Sequence, residues 1–488
     1  MNFWFTNYNR GQDLLEGRNA NSENHRNGQS FLDTDLRFGS RRFAADLHPI
    51  AAMATNIKTN VAAPAAGLAR SLHVLGVLCA LAAGAWLGGA EAPTKLVVVG
   101  VSPFVISLAM VAGVFVARWT VPTLLKGTRY VFLDLRAKPH LIVWAIVAGG
   151  LWAVANTLTV FAIRDVGLSI AFPLWNTNGL IGLFWGWLLF NELRGASAGQ
   201  WSKVLGGGLA IVSGACLLAY ATTSQQVASV APRAASGILA ALGAGLLWGT
   251  MYIPYRKAYL SGMNPLSFVT VFTVGELGTM ATLAIVFQGG VGRLINDLAS
   301  VRSSLFWLFL GGFCWVIGDL FQQYAAKYIG IARGIPLSNT NQLWGLAWGA
   351  LVFGELSNYN GAKQALVICG SLIMIAGAVA ISLAETASAE HSSWHRAMQR
   401  ECDRYGLDTG ELQLALRGED PLGHEEHARR GWDIPIVLIA VGIFVWLAHW
   451  AKRPPIAIHT PWAIVLVVAM LAFLIACGSL LWKRTRFS

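Results

Sequence analysis

Charge is scarce in this chain. Asp, Glu, Lys and Arg make up 12% of its residues, about half the share usual in soluble domains. A water-soluble fold of 488 residues has too much surface for so few charges to cover, so an ordinary soluble domain is excluded. Cysteine is sparse as well. Cys79, Cys216, Cys314, Cys369, Cys402 and Cys477 form no C-x-x-C pair, and five of them lie in apolar stretches. That argues against a disulfide framework and reads as small buried side chains. The start of the chain has no apolar core behind a basic segment within about 30 residues, so no secretory signal is expected there. Residues 1–68 are polar and aperiodic and read as a disordered cytoplasmic tail. Met53 is a second candidate start, with a much shorter lead-in.

What the chain has is apolar length. Stretches of about 20 apolar residues span a bilayer, and twelve such runs occur, at 72–90, 97–117, 140–163, 168–190, 204–221, 236–258, 266–287, 305–328, 331–353, 364–383, 434–450 and 462–482. The expected class is an all-α polytopic membrane protein. The net charge of +11 would suit a nucleic-acid binder, but its distribution does not. With the N-terminus in the cytoplasm, most Lys and Arg fall in the inner segments. Arg118, Lys126, Arg129, Arg136 and Lys138, placed in the second loop, are the strongest orienting group. A plasma (inner) membrane protein with both termini in the cytoplasm is therefore expected, with the lipid bilayer and no nucleic acid as partner. A homodimer is compatible with this reading.

The strongest signal is a repeat. Pro-Leu-x-Asn-Thr-Asn occurs at 173–178 and again at 336–341, and the match runs on to Glu192 and Glu355 without a gap. Upstream, Trp152 and Asn156 align with Trp315 and Asp319. Nearer the start of each copy the offset is one residue shorter, pairing Trp86, Lys95, Gly100 and Pro103 with Trp248, Lys257, Gly262 and Pro265. The units cover 69–222 and 233–386. Five spans per unit is an odd number, so the second unit enters the membrane inverted relative to the first. The expected fold is thus a ten-helix inverted 5+5 repeat plus two additional C-terminal transmembrane helices at 434–482. A cytoplasmic insert at 387–433 precedes them and a basic tail at 483–488 follows. Inverted repeats hold their shared site near the midplane.

Ionisable groups in the middle of a span are costly and usually functional. Glu276, in the seventh span, and Asp319, in the eighth, stand out as candidates for proton coupling. Glu276 aligns with the apolar Val114 and so departs from the repeat. Trp315 lies one helical turn before Asp319, and Trp152 lies one turn before Asn156. A Trp face beside a polar group suits a polyol, the ring covering C–H groups while the polar atom takes a hydroxyl. The alternative is packing in the bundle core. The repeated motif adds Asn176, Asn178, Asn339, Asn341 and Gln342. On one helix, residues two apart point away from each other. One Asn per copy is therefore expected to bond between helices and the other to line a cavity, with Asn178, Asn341 and Gln342 the binding candidates. Pro173 and Pro336 free the carbonyls of Ser169 and Ala332.

Other groups read more plainly. Glu192 and Glu355 are expected to be interfacial anchors, and Glu91 and Lys95 to end the first span. His391, His395, Cys402, His424 and His427 match no established zinc spacing, so neither metal nor cofactor is expected.

These residues resemble the drug/metabolite transporter superfamily, through the matching Glu-Leu ends at 192–193 and 355–356. Gly-Leu-Trp-Ala-Val-Ala-Asn at 150–156 and Cys-Trp-Val-Ile-Gly-Asp at 314–319 are similar to its glucose/ribose porter branch. The resemblance covers about 69–386 and implies ten helices in two inverted repeats. It also implies import of a monosaccharide with protons. The branch tends to carry an amide where this chain has Asp319. The insert and the last two spans lie outside the pattern. The leading expectation is a secondary carrier of a sugar or similar small polar metabolite, not an enzyme, working by alternating access. The same scaffold supports export of metabolites or drugs. A membrane sensor with the insert as its output is a further class. An aspartyl protease would need two membrane-embedded Asp residues, and only Asp319 qualifies.

Overall fold

The computed structural model describes residues 71–487 except 98–99, 192, 194, 224–230, 385–387, 417–429 and 453–455. The tail at 1–68, Met53, Glu192, His424 and His427 lie outside the described residues. Among those described, the chain is all helical, with no strand.

Among the described residues, ten helices are long and apolar enough to cross a membrane. In chain order the elements are α1 (Ser71–Lys95), α2 (Pro103–Leu125), the short α3 (Thr128–Ala137), α4 (His140–Val166), α5 (Leu168–Trp175), α6 (Asn178–Phe190), α7 (Ala198–Thr223), α8 (Ala231–Leu260), α9 (Pro265–Gln288), the short α10 (Val291–Ser300) and α11 (Leu305–Ile329). They continue as α12 (Ile331–Ser338), α13 (Asn341–Ala347, running into a π turn at Trp348–Val352), α14 (Gly361–Ser382), α15 (Ser388–Tyr405), α16 (Thr409–Leu416), α17 (Asp433–Trp450) and α18 (Thr460–Thr485).

The count of ten differs from the twelve expected because 168–190 and 331–353 are not continuous helices. Each is broken at its Asn-Thr pair. Pro173 and Pro336 remove a helical hydrogen bond just before the break. The backbone then tightens into i→i+3 turns, Thr177 N to Leu174 O and Thr340 N to Leu337 O, both 3.3 Å. The half-helices α5 and α12 have eight residues each, about 12 Å of rise, well short of a bilayer. One glycine turns the chain into each of them. Gly167 (φ +82°) and Gly330 (φ +81°) adopt a left-handed conformation that only glycine takes cheaply.

The packing exchanges partners between the two halves. α4 lies on α9, and its counterpart α11 lies on α2; α7 lies on α14. Backbones approach closely at these crossings. A Cβ on Gly149 would collide with the Phe272 carbonyl, and one on Gly312 with the carbonyl of Met110, the repeat mate of Phe272. Near the start of each half the register shifts. Gly88 packs on the Asn341 carbonyl and Gly249 on that of Asn178, which makes Leu87, not Trp86, the counterpart of Trp248. Trp86 points elsewhere and donates to Met470 O on α18 at 2.9 Å.

The last two helices are packed against the repeats. Phe444 of α17 meets Phe309 and Phe313 edge-on, with centroids 5.0 Å apart. Phe487 O, beyond α18, accepts from Asn264 Nδ2 at 2.8 Å and from Tyr324 Oη at 2.9 Å. Cysteine burial is mixed. Cys79, Cys402 and Cys477 are buried, but Cys216 and Cys369 are exposed, because apolar positions on a spanning helix face lipid as readily as core.

Candidate functional site

Two neighbouring polar groupings occupy the middle of the bundle. The first is a seam of amides where the broken helices meet. Asn339 Nδ2 donates to Asn178 Oδ1 at 2.9 Å and to Asn176 O at 2.8 Å. Its repeat mate Asn176 donates to Asn341 Oδ1, closing the same contact from the other side. Asn178 Nδ2 then reaches Tyr252 Oη on α8 at 3.2 Å. Gln322 Nε2 donates to Ser338 Oγ at 2.6 Å.

Beside the seam is a cleft lined by residues of both halves. Its aromatic wall is Phe172, Trp175, Trp248, Tyr252 and Trp315, and its polar groups are Glu91, Asn176, Asn178, Gln322 and Asn341. In this conformation about 30 Å³ is open inside it, room for one or two waters and too little for a monosaccharide. A larger space of about 490 Å³ lies between α2, α11 and α18. Its walls are almost wholly apolar, with Leu125, Leu320 and Ile475 among them, so it offers little to hold a polar metabolite.

The second grouping is ionic. Arg118 of α2 is fully buried. Its Nη2 lies 2.7 Å from Asp319 Oδ2, and its Nη1 lies 3.3 Å from Glu276 Oε1. The guanidinium stacks 4.2 Å from the Phe272 ring centroid and 5.3 Å from that of Trp315. Asp319 also accepts from Gln323 Nε2 at 2.6 Å and from Tyr255 Oη at 3.4 Å, and Tyr259 Oη holds Gln323 at 2.9 Å. Glu276 is equally buried, yet neither of its oxygens has a hydrogen bond of good geometry.

The structure joins the two groupings through Trp315, which lines the cleft and covers Arg118. Trp152 meets Trp315 edge-on, with centroids 4.7 Å apart, but is not part of the cleft lining. Asn156 and Gln342 are buried away from the cleft as well. Asn178 and Asn341 line it. In the first copy of the motif, Asn176 and Asn178 both line the cleft. The argument that residues two apart must diverge does not apply there, because no helix runs through the break.

Arg118 is the residue sequence reasoning missed. The apolar run 97–117 ends just before it, so the sequence places it in a cytoplasmic loop. Two signals pointed the other way. Ser102-Pro103 is a helix start, and the apolar run resumes after Arg118, from Trp119 to Leu125. Glu355 also differs from the expected interfacial anchor. It caps α5, accepting from Leu168 N at 3.0 Å and from Ser169 N and Oγ at 2.8 Å, while Lys95 Nζ lies 3.0 Å away. Burial opposes its ionisation, but Lys95 and the Ser169 and Leu168 donors outweigh that and hold the carboxyl below its usual range. Lys257, at the end of α8, pairs instead with Glu401 of the insert at 3.1 Å. Among the described residues no three His, Cys, Asp or Glu side chains form a group able to hold a metal.

Residues 235–383 match the EamA-like transporter family. Over that stretch the chain is similar to a domain of the drug/metabolite transporter superfamily. "Probable glucose uptake protein GlcU" of Staphylococcus epidermidis is 23% identical over 264 residues, covering 51% of this chain and 83% of the relative. "Glucose uptake protein GlcU" of Staphylococcus xylosus is 23% identical over 240 residues, covering 48% and 75%. The family and these relatives are transporters rather than enzymes, and the described residues of this chain supply the helices of a multi-pass membrane protein.

Proposed function

We propose that the chain is a secondary carrier that imports a sugar-like polar metabolite across the plasma membrane by alternating access, driven by protons. The observation that carries this reading is the cleft beside the amide seam. It lies where the two broken helices meet, and it combines aromatic faces with amide donors and acceptors, the chemistry a polyol needs. Discontinuous helices at a repeat interface are where transporters bind substrate. The uptake proteins to which the chain is similar support a sugar as cargo. In this mechanism the halves are inverted repeats, both termini lie in the cytoplasm, and the halves rock about the seam. The tight cleft then corresponds to a state closed around its own side chains, and opening on one face admits the substrate.

Proteoliposomes of the purified protein, tested for uptake and counterflow of labelled monosaccharides, check this. Saturable, stereoselective counterflow is the expected result, and no counterflow with any monosaccharide would overturn it. A second reading has one observation in its favour. Glu91 places a buried carboxyl among five aromatic side chains, a setting that also suits an organic cation. Tight binding of a lipophilic cation, lost in Glu91→Gln and unaffected by sugars, would favour that reading.

A further inference from the structure

The ionic cluster contains one cation and two carboxylates. With all three ionised it holds a net charge of −1 in the middle of the bundle, at a depth where uncompensated charge is expensive. One proton makes it neutral. The two carboxylates are not equivalent receivers. Asp319 accepts from three donors, on Arg118, Gln323 and Tyr255. Glu276 has only the 3.3 Å ion-pair contact with Arg118, and no donor of good geometry reaches either oxygen. A carboxylate with three donors keeps its charge, and one without donors gains by taking a proton.

We infer that Glu276 carries the coupling proton, and that Arg118 and Asp319 form a permanent ion pair that positions it. This rests on the carrier reading above and deepens it. The groups facing Glu276 are Arg118 from α2, Asp319 from α11 and Tyr255 from α8. α4 packs there through Gly149 and Thr157 and presents no titratable group at that level. α3 and α10 pack near the two ends of α9. Protonation converts the Glu276 carboxylate to a neutral acid and releases Arg118 to Asp319 alone. Loss of the proton returns the carboxylate to compete for the same guanidinium. Arg118 also covers Trp315, so this competition reaches the wall of the cleft directly. The cluster therefore loads one proton per cycle.

Both the stoichiometry and the site are testable with the full-length protein in proteoliposomes, using labelled glucose as the probe. One proton per substrate sustains about a tenfold accumulation per unit of pH gradient. Glu276→Gln is expected to abolish this accumulation and keep glucose counterflow. Glu276→Asp keeps accumulation with a displaced pH profile. Infrared titration of the purified protein gives a readout independent of transport. The carbonyl band of a protonated buried carboxyl should vanish in Glu276→Gln and persist in Glu91→Gln. A protein that moves no monosaccharide but shows this loss refutes the carrier reading and supports the proton site. Accumulation or band intact in Glu276→Gln, accumulation driven by sodium instead of protons, or a band lost in Glu91→Gln would each overturn the inference.

Discussion

The amide seam and the ionic cluster sit side by side and obey opposite rules. The two side-chain amide bonds between the broken helices are counterparts: Asn339 to Asn178 mirrors Asn176 to Asn341. The cluster has none of this. Glu276 faces Val114 in the repeat alignment, Arg118 faces Met280, and Asp319 faces Asn156. A joint that works identically from either side of the membrane needs equal halves. A process with a direction needs a difference between them. The seam suits the first task and the cluster the second, and Trp315 both lines the cleft beside the seam and lies against Arg118.

Substitutions can separate these roles. The largest effect is expected at Arg118. Arg118→Met leaves buried carboxylates without their cation, a loss of about 3–5 kcal/mol, read as loss of monodisperse protein in detergent. Adding Asp319→Asn to it should restore most of the yield, since the remaining Glu276 is neutral when protonated. The seam comes next. Asn176→Ala and Asn339→Ala should each destabilise by about 1 kcal/mol, and by similar amounts, as measured by thermal unfolding. A clear inequality would show that the seam is not the symmetric element described. At the cleft wall, Trp315→Phe should retain part of the transport and Trp315→Ala should raise the apparent KM strongly. Equal, near-normal values for both would assign Trp315 to packing. The smallest effect is at Glu355. Because its folded value is depressed, its contribution is complete above about pH 4.5, the ordinary value, and is lost as pH falls through the folded value. The stability gap between wild type and Glu355→Gln should narrow in that acidic window.

Much of this was legible in the sequence, and what was not has physical causes. Helix length and the repeat could be read directly, since span length is fixed by the bilayer and the Pro-Leu-x-Asn-Thr-Asn motif recurs with its spacing intact. Asp319 and Glu276 were visible as charges inside apolar runs. The breaks at Asn176-Thr177 and Asn339-Thr340 were not, because proline is tolerated inside many membrane helices. A continuous helix would turn Asn176 and Asn178 apart, whereas the break lets both line the cleft. Arg118 was lost for a different reason. Positive charge near a span end is normally a topology marker, and the partner carboxylates on α9 and α11 identify it as a core residue. Glu355 meeting Lys95 and the start of α5 is likewise a contact between segments far apart in sequence.

The division between joint and coupling device is tested most directly by measuring proton-driven accumulation and counterflow side by side in Glu276→Gln and Asn339→Ala. The account predicts a split. Glu276→Gln loses accumulation and keeps exchange, while Asn339→Ala weakens both in proportion. The same profile in both variants would contradict it.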